Sequence, residues 1–215
     1  MNEEQAVLDF FAKVENLPLA LAVAEQIDKQ REQLNNSLWL ALLQRLNALC
    51  NEHQLPWHIE VTEDKNAPDS LVGLYGNLRI AQTLYLRPMV EQQNLGGNLR
   101  IYFGLMWSAA PSPEQLALPV VVELKASLQK SNFKTNESFL GWQWTTFHPR
   151  RKDFLLRYSQ QPEKTLAEMA AILQTLLVDF NAAITLVNTA LKDAPRSMNI
   201  SLDKLRSKRA NYNSP

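Results

Sequence analysis

An α+β fold is predicted: N-terminal helices, a central, largely antiparallel β-sheet, and a long C-terminal helix packed on that sheet. Two changes in hydrophobic period carry this expectation. Apolar residues first recur at helical spacing, alternate from Trp57 onward, then return to a helical rhythm through Leu166, Ala170, Leu173, Leu177, Phe180, Ile184, Val187 and Leu191. Residues 165–191 contain only two charges, Glu168 and Asp179. A surface helix normally keeps a charged side, so this one is covered on more than one face, by its own subunit or by a second one. Residues 1–56 form a helical region that joins 57–195 in one α+β domain, and 196–215 form a basic tail.

In chain order, Val7, Leu8, Phe10, Phe11 and Val14 make a short amphipathic helix ending near Asn16. Pro18 suits the first turn of a second helix running to about Gln33. Asn35, Asn36 or Ser37 then caps a third, whose buried face is Leu38, Trp39, Leu42, Leu43, Leu46 and Leu49, and Pro56 ends it. Trp57–Thr62 alternates as a half-buried strand does. A polar loop, Glu63–Ser70, follows. Strands are expected at Leu78–Arg87 and Leu99–Trp107, joined through Leu95-Gly96-Gly97-Asn98, a turn signal. After Pro111 and Pro113, Pro119–Ala126 reads as a strand because of its Val120-Val121-Val122 core. Phe139–Phe147 is a further strand, Asp153–Tyr158 reads as a strand or a lead-in, and Pro162 and Thr165 open the last helix.

The 215 residues carry 22 basic and 22 acidic side chains, so binding to DNA, RNA or anionic lipid requires a local patch. The single cysteine, Cys50, lies among helical leucines and excludes a disulfide framework or a cysteine-based zinc site. The start Met1-Asn2-Glu3-Glu4 has the wrong charge for a signal peptide, and Leu17–Ala24 is too short to span a bilayer. The expected location is cytoplasmic, without a membrane partner.

Two constellations point toward chemistry. On a strand, Glu123 and Lys125 share a face, an arrangement in which a carboxylate holds a divalent cation while an ammonium positions water. It equally describes a solvated Glu–Lys pair at a strand end. The strings Pro68-Asp69 and Glu123-Leu124-Lys125, with a strand meander and a long C-terminal helix, faintly resemble the PD-(D/E)XK nuclease superfamily and its bacterial defence members. That resemblance implies Mg²⁺ held by Asp69 and Glu123, with Glu123 and Lys125 catalytic. Asp69 and Glu123 are farther apart than the family's single hairpin places them, and Glu114 is a nearer carboxylate.

The second constellation is Trp142 and Trp144, on one face of a strand, followed by Arg150, Arg151 and Lys152. An aromatic platform with a basic rim is how proteins grip unpaired nucleotides, and two tryptophans packed beneath the long helix are the structural alternative.

The function expected on balance is non-enzymatic: an interaction or regulatory protein of bacterial type, with a flavour of defence from the resemblance, acting through a protein or oligomer interface on the 165–191 helix and needing no cofactor. The alternative is a diverged Mg²⁺-dependent nuclease or nucleic-acid-binding module.

Overall fold

The computed structural model describes residues 3–62, 72–79, 85–95, 98–108 and 110–192. Two helices, α1 (Glu3–Phe11) and α2 (Leu17–Glu52), precede four strands, β1 (Trp57–Val61), β2 (Val72–Leu78), β3 (Leu86–Leu95) and β4 (Asn98–Trp107). Then come α3 (Pro113–Leu116), α4 (Pro119–Lys130), β5 (Phe139–Trp144), α5 (Lys152–Gln160), α6 (Pro162–Gln174) and α7 (Asn181–Leu191). The sheet is an antiparallel meander in the order β1-β2-β3-β4-β5. The fold class is therefore the α+β arrangement that the changes of period predict.

Alternation along β4 sets the two faces of the sheet. Ile101, Phe103, Leu105 and Trp107 join the main core with residues of α2, α4, α6 and α7, whereas Tyr102 and Met106 belong to a second cluster. The edge strand β1 is closed by a side chain. Asn47 of α2 donates to the Ile59 carbonyl at 3.0 Å and accepts from the Ile59 N–H at 2.9 Å. That removes one pair of free backbone groups from a sheet edge that would otherwise template another strand. Both α2 and α4 end in the same turn: Gln54 and Asn132 take positive φ, and Leu55 and Phe133 donate back to the carbonyls of Cys50 and Leu128.

Several sequence expectations are corrected. The expected break before residue 35 is absent, because α2 runs unbroken for 36 residues. Ser37 does not cap a new helix; its hydroxyl donates back to the Leu34 carbonyl. Extending an existing helix is easier than nucleating one, which outweighs two asparagines.

The segment 119–130 is α4 rather than a strand. Pro119 sits in its first turn, and Val121, Leu124 and Leu128 recur at helical spacing on the buried side. The β preference of three valines is weaker than burying that face. The expected strand Leu78–Arg87 instead spans the end of β2 and the start of β3. Gly73 and Gly76 hide β2 in the sequence, yet a Cβ on Gly73 would lie 2.2 Å from the Val90 carbonyl oxygen. Pro88 lies on β3 just beyond the last β2–β3 pair, Tyr75↔Met89, where its missing N–H costs that ladder nothing. Asp153–Tyr158 belongs to helix α5.

The expected long helix is three pieces. A π-helical turn, Thr175–Asp179, separates α6 from α7, and the two helices are bent by 51°. Phe180 N–H reaches the Thr175 carbonyl, five residues back, at 3.1 Å. The bend lets α6 pack on α2 while α7 packs on α4 and β3. Of the eight apolar residues in the rhythm, all but the half-buried Phe180 are buried. No single helix among the described residues is long and apolar enough to cross a membrane; the bent pair passes on composition and length alone.

Cys50 lies fully inside the core, and burial pushes its thiol up to about 11, against a smaller downward pull from Arg79. The unfolded chain loses this proton near 9.0 and the folded chain only near 11. The stabilisation is therefore complete below pH 9 and is lost as the pH rises through 11, an effect of about 2–3 kcal/mol. Urea denaturation of wild type and Cys50→Ala across pH 8–11 is expected to show a stability gap that narrows as the pH rises. In the folded protein at pH 8, Cys50 is expected not to react with a thiol reagent.

Candidate functional site

Among the described residues, the second cluster is made by strands of the sheet: Tyr75, Met89, Tyr102, Met106 and Phe139, with Trp142 and Trp144 packed against it. Pairing explains the grouping. Glu91 is opposite both Gly73 and Tyr102, Met89 is opposite Tyr75 and Gly104, and Trp144 is opposite Tyr102. Glycines at 73 and 104 leave room above their strands for the large side chains beside them.

At the centre, Glu91 is 1% exposed. Tyr75 donates its phenol hydrogen to one carboxylate oxygen at 2.5 Å, and Tyr102 donates to the other. Hydrogen bonds to a carboxylate are the strong kind, and a buried carboxylate requires them. Tyr102 also meets both indoles edge-on, with centroids 6.3 Å from Trp142 and 5.3 Å from Trp144. The indoles contact each other edge to face at 5.6 Å.

Each indole carries a cation. The Arg100 guanidinium lies 4.7 Å above the Trp144 ring, and the Lys134 ammonium lies 5.7 Å from the Trp142 centroid. Lys134 is placed by backbone bonds in both directions with Trp142, at 2.9 and 2.8 Å. Among the described residues Arg100 makes no side-chain hydrogen bond or ion pair, and its Nε is buried without a partner.

The tryptophans share a strand face as expected, but on the side of the sheet away from the long helix. The cations brought to them are Arg100 and Lys134. Arg150, Arg151 and Lys152 follow Phe147, which turns into the helix-side core. All three are exposed there, with Arg151 paired to Asp153 at 3.3 Å.

Glu123 and Lys125 are exposed on α4. Two residues apart on a helix, they point about 200° away from each other, so the shared face that a strand would give them is lost. Glu114 stands exposed on α3, where the Ser112 hydroxyl donates to it at 2.7 Å and lowers its pKa. Asp69 and the 63–70 loop lie outside the described residues. Among the described residues, no group of three or more His, Cys, Asp or Glu side chains stands ready to hold a metal ion. Sequence reasoning missed Glu91, Arg100 and Lys134. Alternation in Leu99–Trp107 puts Arg100 beside Tyr102, but no sequence signal gave the register that brings Glu91 and Trp144 to them.

By class this is a five-stranded antiparallel meander with helices on one face and an aromatic, cation-bearing cluster on the other. Comparison with family models, curated proteins and solved structures finds no match for the chain.

Proposed function

We propose that this is a non-enzymatic interaction protein that assembles through its N-terminal helical arm, residues 3–34, and that the arm's occupant is the same arm of a second copy. The observation carrying this reading is that residues 3–37 contribute no buried side chain, although they include Val7, Leu8, Phe10, Val14, Leu19, Leu21 and Ile27. Leu8 is 63% exposed and Val14 86%. Together these side chains offer apolar area of the order of the 800 Å² that each partner buries in a stable complex, far beyond scattered surface leucines.

The pattern on α2 favours a bundle. Leu17 and Leu21 lie on one side and Leu19, Val23 and Ile27 about 200° around it, so one neighbour cannot cover both sides. In a four-helix bundle each helix has two neighbours. Two helical hairpins related by a two-fold axis are the smallest closed way to supply them. The proposed interface is thus the arm rather than 165–191, whose apolar rhythm packs in the core.

Sedimentation velocity over a concentration series tests the reading. Wild type is expected to be a dimer, and Leu8→Glu/Leu21→Glu a monomer, with the dissociation constant raised at least about 100-fold. Since neither side chain is buried within one chain, the monomeric variant should keep the wild-type circular dichroism spectrum, and its thermal midpoint should no longer rise with concentration as that of the dimer does. A wild-type protein that remains monomeric at high concentration would end the proposal.

A further inference from the structure

On the side of the sheet away from the helices, the edge strand carries two matching units in a row. Trp142 and Trp144 stand two residues apart on edge strand β5, each with a cation against its ring, Lys134 and Arg100 respectively. We propose that this face binds single-stranded nucleic acid, with phosphates on Arg100 and Lys134 and unpaired bases against Trp142 and Trp144.

The chemistry of the two units selects the ligand. A cation resting on an aromatic face is held by the ring's quadrupole, and its N–H donors stay unspent. Among the described residues the side chains of Arg100 and Lys134 have no hydrogen bond or ion pair; the Arg100 Nε is buried, so the terminal guanidinium nitrogens and the Lys134 ammonium are the donors left for an anion. The Arg100 guanidinium is already positioned, so less rotamer freedom is lost when a phosphate arrives. Both indoles are only half-buried, which leaves apolar ring surface for a flat partner.

A ligand that satisfies both units needs a charge and a ring in each repeat. Single strands have that composition, and every base offers a π-face. A duplex hides its base faces in the stack, and two indoles on a flat strand do not read a groove edge. The zero net charge of the chain adds no long-range attraction, so affinity and its salt dependence rest on these two cations. With two phosphates neutralised, the slope of log K against log salt should be about −1.4 for a single strand.

Fluorescence anisotropy with a labelled 12-nucleotide oligo(dT), read from 25 to 200 mM salt in the full chain, tests this. Arg100→Gln and Lys134→Gln should each weaken binding about tenfold and flatten the slope to about −0.7. Trp144→Leu should weaken binding with the slope unchanged, and a single strand should quench the indole fluorescence. Lys134 is exposed, so Lys134→Gln remains informative even if a change at Arg100 disturbs folding.

Undiminished affinity in Lys134→Gln overturns the assignment. So does equal competition by a duplex of the same length or by heparin, which would make the face a general polyanion patch. Loss of binding confined to Arg150→Gln/Arg151→Gln would move the site to the turn before α5. None of these outcomes bears on the dimer, because Leu8→Glu/Leu21→Glu should bind the oligonucleotide as wild type does at each site.

Discussion

Replacing Asn188 with leucine is expected to destabilise the protein by about 4 kcal/mol, the largest loss from any single side chain considered, because several buried backbone groups lose their partner at once. Asn188 Oδ1 accepts from the Tyr85 N–H at 2.8 Å and the Leu86 N–H at 2.9 Å. Its Nδ2 donates to the Leu86 carbonyl at 2.9 Å and the Ile184 carbonyl at 3.1 Å. One amide thus uses two donors and two acceptors and fastens α7 to the first residues of β3. Leucine shares its branching at Cγ and makes none of its bonds. A 215-residue chain should lose on the order of 10 °C in thermal midpoint, measurable by calorimetry or by the urea midpoint. Asn188→Asp should fail almost as badly, because it keeps the acceptors, loses both donations and buries a charge. Thr189→Ala, one residue on and exposed, removes only a bond to the Thr185 carbonyl and should cost under about 0.5 kcal/mol.

Gly104→Ala is expected to cost about 3 kcal/mol and to loosen β5 from the sheet. A Cβ at position 104 would lie 2.2 Å from the Gly141 carbonyl oxygen and 2.8 Å from the Trp142 Cα. Both are backbone atoms of the neighbouring strand, so neither can swing aside, and relief requires β4 and β5 to separate. Overpacking of this kind is costly because the interior is already close-packed. The strands carry Tyr102 on one side of the gap and Trp142 and Trp144 on the other, so the loss should reach the aromatic cluster. Near-ultraviolet circular dichroism from the indoles should fall more than the far-ultraviolet helical signal. An unchanged near-ultraviolet spectrum would show that β5 adapts without moving its tryptophans.

Asn188 also resolves what the composition of the last helix meant. The low charge of 165–191 signalled covering, by its own subunit or by a second one, and its second half adds uncharged polar residues. Two of them have internal duties instead: Asn188 closes on β3, and Asn181 accepts the Trp57 indole N–H at 2.9 Å. A residue type cannot tell these readings apart, because an amide that binds backbone in its own chain and one that faces another subunit have the same letter. The bend at Thr175–Asp179 was equally silent, since the apolar spacing runs through it without a gap.

The sequence by itself determined the fold class, the strands at Trp57–Val61 and Asn98–Trp107 to within a residue, and the buried seam of the C-terminal helices. All of these follow from period and turn chemistry within one segment. It also supplied the shared face of Trp142 and Trp144, two residues apart on one strand. The tertiary structure decided the rest. Packing made Pro119–Lys130 a helix against the preference of its valines, which separated Glu123 from Lys125. Strand register brought Glu91 to two tyrosines and Arg100 to Trp144 from separate strands, a pairing that depends on alignment between segments and leaves no periodic trace within any of them. The N-terminal arm gives the same lesson in reverse. Its leucines and valines follow an amphipathic pattern like that of the core helices, and only their position outside the core leaves them exposed.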